Sequence, residues 1–319
     1  MSEPPADLAS RIDQAERSIR DRINDPRLRF KLTQNHKAWN QVVSSLDAIG
    51  DTEYAFTAFL AHAPGSTGEG YLFLYGVLQA LVIQQDAVRH LTEALGKTAS
   101  DDPRLREARR IRVEAAGHPT KKDRPKGTLV TSHQVGRFTI GQHGFMMLTF
   151  DENGYARSED VDLRKVITDQ RGAIAEMLES LDAQLAHDDR ELRLAHKGDR
   201  LAALFPDTLG YSFEKLHDGI FNAHPLGAPS LQHVKEVIAT FGAALEKRGL
   251  SVSAYSGVKD WYTEIEQPLA ELEAFFEGRS QLHPQILSIV ASHVKDQVAL
   301  LKEMATEIDV DWAIEDTPS

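Results

Sequence analysis

YLFLYGVLQALVIQQDAVRHLTEALG, Tyr71–Gly96, is the stretch whose reading decides the fold. Leu72, Tyr75, Leu78, Val82, Gln85 and Arg89 recur at three-to-four spacing, and Phe73, Leu74, Val77, Leu81 and Ile83 fill the other faces. A helix that is apolar all round belongs at the centre of a bundle. Its longest apolar run, Tyr71–Ile83 with Gln79 inside it, is too short to span a bilayer and reads as a core helix. Gly96 ends it.

Working outward, Asp101-Asp102-Pro103 starts the next helix with an acidic cap and a proline in the first turn. That helix runs to about Gly117, where Gly117-His118-Pro119 stops it, because proline disfavours helical geometry at the residue before it. Towards the N-terminus, residues 6–24 read as a charged amphipathic helix broken by Asp25-Pro26. Residues 36–49 and 52–62 read as an antiparallel helix pair joined at Gly50-Asp51, and residues 63–70 as a loop.

Beyond residue 122 the character changes. Thr128–Gln134, Arg137–Ile140, Phe145–Phe150 and Tyr155–Arg157 are rich in β-branched and aromatic residues, and Asn153-Gly154 is a hairpin signal. These predict a small antiparallel sheet of three or four strands. Val161–Ala186 carries a heptad-like apolar stripe, and further helices are predicted at 188–204, 207–222, 229–249, 256–278 and 284–308. Pro268 predicts a kink or split near Gln267. The expected fold is mainly α: an N-terminal helical bundle (1–122), a small antiparallel sheet (123–160, strands near 128–157) and a C-terminal region of long helices (161–319).

The 319 residues suffice for about two domains, and 41% hydrophobic content supports real cores. A formal net charge of −12 argues against a general nucleic-acid or anionic-membrane binder, because the mean field repels polyanions. Locally the sign reverses: between Asp101 and Lys126, nine Lys/Arg face five acids. The absence of cysteine removes disulfides, thiolate catalysis and Cys-type metal sites, and suits a reducing compartment. The polar, acidic N-terminus is unlike a signal peptide, so a cytoplasmic location is expected, without membrane association.

The residues with a chemical reading are Arg112 and His118, with five residues between them. Imidazole takes and returns a proton near neutral pH, and guanidinium grips phosphate with a planar fork. RNA supplies its own nucleophile, the 2′-hydroxyl, so its cleavage needs a base, an acid and stabilisation of phosphate charge, but no metal or cofactor. Two Arg/His pairs facing each other across a dimer axis would supply all of these, with Gly117 letting the backbone turn. The competing reading is that His118 closes a helix C-terminus, where a cation is favoured.

Tyr71–Glu93 followed by Leu105–Lys122 resembles the HEPN domain family (higher eukaryotes and prokaryotes nucleotide-binding), over roughly residues 36–122. The shared pattern is an arginine, four to six residues, then a histidine at the end of a late helix, matched by Arg112 and His118 and the Gly-His-Pro ending. The resemblance implies a helical bundle acting as a homodimer and a metal-independent endoribonuclease, a toxin or a defence or stress effector. His118 would be the general base or acid and Arg112 the phosphate ligand, with 2′,3′-cyclic phosphate and 5′-hydroxyl products. Active members often carry a further polar or acidic residue on the preceding long helix; of Gln84, Gln85 and Asp86, Asp86 is the choice. Arg109, Lys121 and Lys122 would guide RNA. The family often has asparagine directly after the arginine, where this chain has Val113. The alternative is therefore a non-catalytic HEPN-like module for nucleotide binding or protein interaction.

Other signals are weaker. His187-Asp188 and His217-Asp218 resemble the His-Asp pair of helical metal phosphohydrolases, with His133, His143 and Asp199 as further ligands to draft. There is no His-Glu-x-x-His. Gly65-Ser-Thr-Gly-Glu-Gly70 precedes a helix and offers amides to an anion, but lacks the Lys-Ser/Thr of a P-loop. Gly210-Tyr-Ser212 has no preceding strand and is not a nucleophile elbow. Trp261, Tyr262, Phe275 and Phe276 read as core or as an aromatic contact surface, and the acidic C-terminal helices suit a protein partner.

Overall fold

The computed structural model describes residues 5–117, 119 and 131–313. Among them the chain forms ten α-helices and one three-stranded antiparallel sheet, so the protein is mainly α. It divides into two compact units, residues 1–23 with 35–185, and residues 24–34 with 186–319. The composition changes near 122 and 160 both fall inside the first unit.

The first unit contains α1 (Pro5–Ile23), α3 (His36–Ala61), α4 (Thr67–Ala94), α5 (Pro103–Arg112), the sheet and most of α6 (Leu163–Ala195). The helix α2 (Pro26–Thr33) belongs to the second unit. Leu8, Ile12, Ala15, Ile19 and Ile23 recur at three-to-four spacing and are all buried, which fixes the inner face of α1. Arg11 and Arg22 tie its outer face to Glu179 (2.8 Å) and Asp182 (2.5 Å) of α6.

Gly50-Asp51 does not break α3, which is continuous and not a helix pair. A mid-helix glycine costs about 1 kcal/mol. The buried Val42, Leu46, Ile49 and Phe56 on both sides outweigh it. The loop before α4 is shorter than its glycines suggest, because Ser66 caps the helix by accepting from the Glu69 N–H (3.3 Å). Length and composition would allow α4 to cross a membrane; just over half of its most apolar window, 56%, is buried inside the unit. Leu74, Leu78 and Leu81 pack there with Phe56, Ile111, Phe145, Met147 and Ile167.

The sheet has β1 (Thr131–Val135), β2 (Gly144–Asp151) and β3 (Ala156–Asp162) in the order β1-β2-β3. Period-two alternation buries Phe145, Met147 and Thr149 of β2. Val161 lies opposite Phe145 and His133 opposite Thr149, so the sheet covers the helical core of this unit with one face. At the β2–β3 turn, the Asp151 carboxylate accepts from the Asn153 and Tyr155 N–H groups (2.9 Å each), and Gly154 takes φ +77°. The candidate fourth strand, Arg137–Ile140, is instead a turn: the Thr139 hydroxyl donates to the Gly136 carbonyl (2.7 Å) and accepts from Met146 N–H (2.9 Å).

A buried polar chain runs through this unit. Glu53 of α3 pairs with Arg171 of α6 at 2.7 Å, with the guanidinium stacked 5.6 Å from the Phe56 ring centre. Gln84 of α4 donates to Glu53 (2.8 Å), and Gln170 of α6 donates to Gln84 (2.9 Å) and to the Leu81 carbonyl (3.0 Å). Gln85 donates to Gln170 (2.7 Å) and to the Leu105 carbonyl of α5 (3.1 Å).

In the second unit α7 (Leu209–Asn222), α8 (Gly227–Lys247), α9 (Ser256–Phe276) and α10 (Pro284–Asp311) each pack on the next, and α10 returns to α7. Phe213, Leu216, Phe241, Trp261, Leu287 and Leu301 fill the centre. The α7–α8 contact is close enough that a Cβ on Gly219 would sit 2.6 Å from the Gly227 Cα. Pro268 does not split α9. Trp261 is a core residue whose indole donates to the Gln297 carbonyl (2.6 Å), and Tyr262, Phe275 and Phe276 pack on the same core. There is no break at residue 187, since α6 runs on to Ala195.

Glu53→Ala leaves the Arg171 guanidinium, 3% exposed, without its carboxylate. The expected loss of unfolding free energy is about 3 kcal/mol, read from the urea midpoint, and a Glu53→Leu/Arg171→Met double variant should recover much of it. An unchanged midpoint for Glu53→Ala would show that the pair carries no stability.

Candidate functional site

The helix α5 is a row of cations set at its N-terminus by Asp102, whose carboxylate accepts from Arg104 N–H (2.7 Å), with Pro103 following. Most of those cations are neutralised locally. Arg104 meets Asp102 (2.7 Å) and Glu176 (2.5 Å), and Arg106 meets Asp101. Arg110 meets Glu107, Glu114 and Glu159, each at 2.6 Å. Arg109 meets Asp86 (2.8 Å) and donates to Gln85 (3.2 Å). The charge of these four arginines is therefore spent inside the fold.

Arg112 is different. Its Nη2 donates to the neutral Gln79 side chain of α4 (3.1 Å), and among the described residues it pairs with no carboxylate. It stands at the last α-helical position; the chain then widens into a π-helical turn, Val113–Gly117. Such turns recur at functional sites because they re-aim the residues beside them. Here the turn carries Gly117 against the arginine: a Cβ at Gly117 would lie 2.9 Å from Arg112 Nη1. The glycine leaves room for a guanidinium, and positive φ is not its role.

Asp86 is not the α4 partner of Arg112. It bonds Arg109 (2.8 Å) and Arg89 (3.3 Å). Seven residues separate Asp86 from Gln79, about 10 Å along a helix, so the α4–α5 crossing sets Asp86 against Arg109 and Gln79 against Arg112. Gln84 and Gln85 are buried members of the core network. Arg109 is engaged by Asp86 and Gln85. His118, Lys121 and Lys122 lie outside the described residues. On its far side the turn is anchored, since the Pro119 carbonyl accepts from the His133 N–H of β1 (2.7 Å). The sequence signal for Gln79 was a single amide inside the longest apolar run.

The other motifs resolve into packing. Among the described residues no group of three or more His, Asp or Glu is arranged to hold a metal. Asp218 pairs with Lys215 (2.9 Å), the ring of His217 meets Ser288 (3.3 Å), and buried His133 meets Thr149 (3.1 Å). At the glycine-rich loop the Glu69 carboxylate accepts from the Gly65 N–H (2.6 Å), occupying the place an anion would take. Compared with protein-family models, curated proteins and solved structures, the chain matches none.

The Arg104 guanidinium, chiefly through its hydrogen bonds, holds the Asp102 carboxyl below the ordinary aspartate range. A depressed carboxyl contributes stability that is full above its unfolded pKa, about 4, and is lost as pH falls through the lower folded value. Asn caps a helix as well as Asp, so Asp102→Asn isolates the charge. Between pH 6 and pH 2.5 the wild type should lose more unfolding free energy than Asp102→Asn, with the two converging at the acid end in urea titrations. Parallel curves would show that the pair does not act through the carboxylate charge.

Proposed function

We propose that the chain is a HEPN-like, metal-independent endoribonuclease, a toxin or a defence or stress effector, that cleaves RNA with Arg112 and His118. The observation that supports this reading is the electrostatic isolation of Arg112 among the described residues: every other arginine described in α5 bonds a carboxylate, and Arg112 is held by a neutral amide. A guanidinium kept without a carboxylate beside it retains its full attraction for phosphate. In the proposed reaction the RNA 2′-oxygen forms a bond to phosphorus as the bond to the 5′-oxygen breaks. One His118 takes the 2′-hydroxyl proton, and His118 of a second copy returns a proton to the leaving oxygen. Arg112 neutralises the charge on the non-bridging oxygens. Gln79 is a positioning residue in this scheme.

A second reading, a non-catalytic HEPN-like module that binds a nucleotide or a protein, is favoured by two features. Asp86 is neutralised by Arg109 and Arg89, and Val113 follows the arginine where a polar residue is common in the family. It keeps the phosphate contact of Arg112 and dispenses with the proton transfers.

The test is incubation of total RNA with the protein in EDTA. Wild type should release fragments ending in cyclic phosphate and 5′-hydroxyl, and His118→Ala and Arg112→Ala should each lower the rate at least about 100-fold. Gly117→Ala, which crowds the guanidinium, should lower it about tenfold, with the melting temperature unchanged. A wild-type dimer without cleavage would overturn the nuclease and leave the binding module.

A further inference from the structure

The second unit holds a cation that its own fold does not fully compensate. Arg248 follows the last turn of α8 and is 3% exposed. Its Nη2 donates to the Asp199 carbonyl, and its guanidinium lies 5.6 Å from the Trp312 ring centre. The nearest carboxylate, Asp309, is 3.8 Å away and already accepts from the Leu201 and Ala202 N–H groups (2.9 and 3.0 Å). The Arg248 Nε is buried with no hydrogen-bond partner. A buried donor on a charged group is costly to leave unmade. Burial also pushes the guanidinium below its ordinary pKa, against the opposing pull of Asp309 and Asp199.

Arg248 forms part of the wall of a cavity of about 450 Å³, shared with Arg193, Lys197, Arg200 and Trp312. A second cavity of about 290 Å³ also takes in Arg200 and Arg248 and adds Lys247. The carboxylates in the two walls are Asp199 and Asp309; Asp199 lies 3.5 Å from His196, and Asp309 is spent on the backbone. Arg193 is held by Asp189 (2.7 Å) and by the Asp311 carbonyl, and its guanidinium also sits by the Trp312 ring (5.8 Å). The exposed Arg200 side chain makes no ion pair among the described residues.

We infer that this cavity is a binding site for a phosphate-bearing small molecule, with the phosphate on Arg200 and the Arg248 guanidinium. The volume suits a drug-sized or nucleotide-sized ligand. The indole of Trp312, beside Val310, Ala202 and Ala313, provides an apolar wall for a planar ring. A nucleoside phosphate combines both features. The site is built from residues of the second unit alone and does not depend on the nuclease reading.

The test uses the full-length protein in phosphate- and sulfate-free buffer, titrated calorimetrically with AMP, adenosine and inorganic phosphate. AMP should bind, adenosine should bind at least tenfold more weakly, and AMP should raise the melting temperature. Arg200→Ala, a surface change, should weaken AMP at least about tenfold, the worth of one charged hydrogen bond, without lowering the melting temperature of the free protein. Arg248→Met should abolish binding and leave the free protein folded, as expected for a buried charge replaced by an apolar chain. Should Arg248→Met unfold, Arg200→Ala decides alone. Phosphate binding as tightly as AMP would keep the anion site and overturn the nucleoside assignment. No heat and no thermal shift with AMP or phosphate at millimolar concentration, or unchanged affinity in Arg200→Ala, would overturn the site.

Discussion

The first unit depends on one buried polar chain: Arg171 to Glu53, Glu53 to Gln84, Gln84 to Gln170, and Gln170 to Gln85. Four helices meet along it, since the links come from α3, α4 and α6, and Gln85 reaches the backbone of α5 at Leu105. Apolar contact is tolerant of small shifts and rotations, whereas hydrogen bonds lose their strength within a few tenths of an ångström. The chain therefore sets the register in which α4 crosses its neighbours. The surrounding Leu78, Leu81, Val88 and Leu91, all essentially inaccessible, supply most of the driving force. The glutamines convert a greasy helix into one with a single orientation.

That register reaches the surface. Gln85 also accepts from Arg109, which passes to Asp86 and then to Arg89. One crossing thus settles which α5 arginine finds a carboxylate on α4 and which finds an amide. Arg109 lands on Asp86 and Arg112 on Gln79. The π-helical turn then brings Gly117 beside the same guanidinium. The distinctive electrostatics of Arg112 follow from core packing through two helices.

Much of the secondary structure was legible from local signals. The α5 start was written in Asp102-Pro103, the hairpin in Asn153-Gly154, and the α4 core in its all-round apolar faces. Local signals misled where burial or pairing overrode them. Gly50 sits in a helix held from both sides by core residues. Asp25-Pro26 does break the first helix, which ends at Ile23, and it also supplies the N-cap and first turn of α2, where proline is at home. The charged run after His187 stays helical because Asp189 meets Arg27 and Arg193. Of the candidate site, Arg112 was legible from its spacing to His118. Gln79 was visible only as one polar residue in an apolar run. Arg248 carried no signal, because an arginine after a helix end ordinarily faces water.

By itself the sequence determined the helical class, the central helix, the sheet and the presence of a basic segment ending in Gly-His-Pro. These rest on periodicities of 3.6 and 2 residues and on turn chemistry, all encoded within a few neighbouring positions. Tertiary structure alone decided which cations keep their charge unspent. Arg110 meets Glu159 across 49 residues and Arg104 meets Glu176 across 72, while Arg112, among the described residues, meets an amide across 33. Such partners are chosen by the crossing of packed helices, and no local pattern encodes where two helices cross.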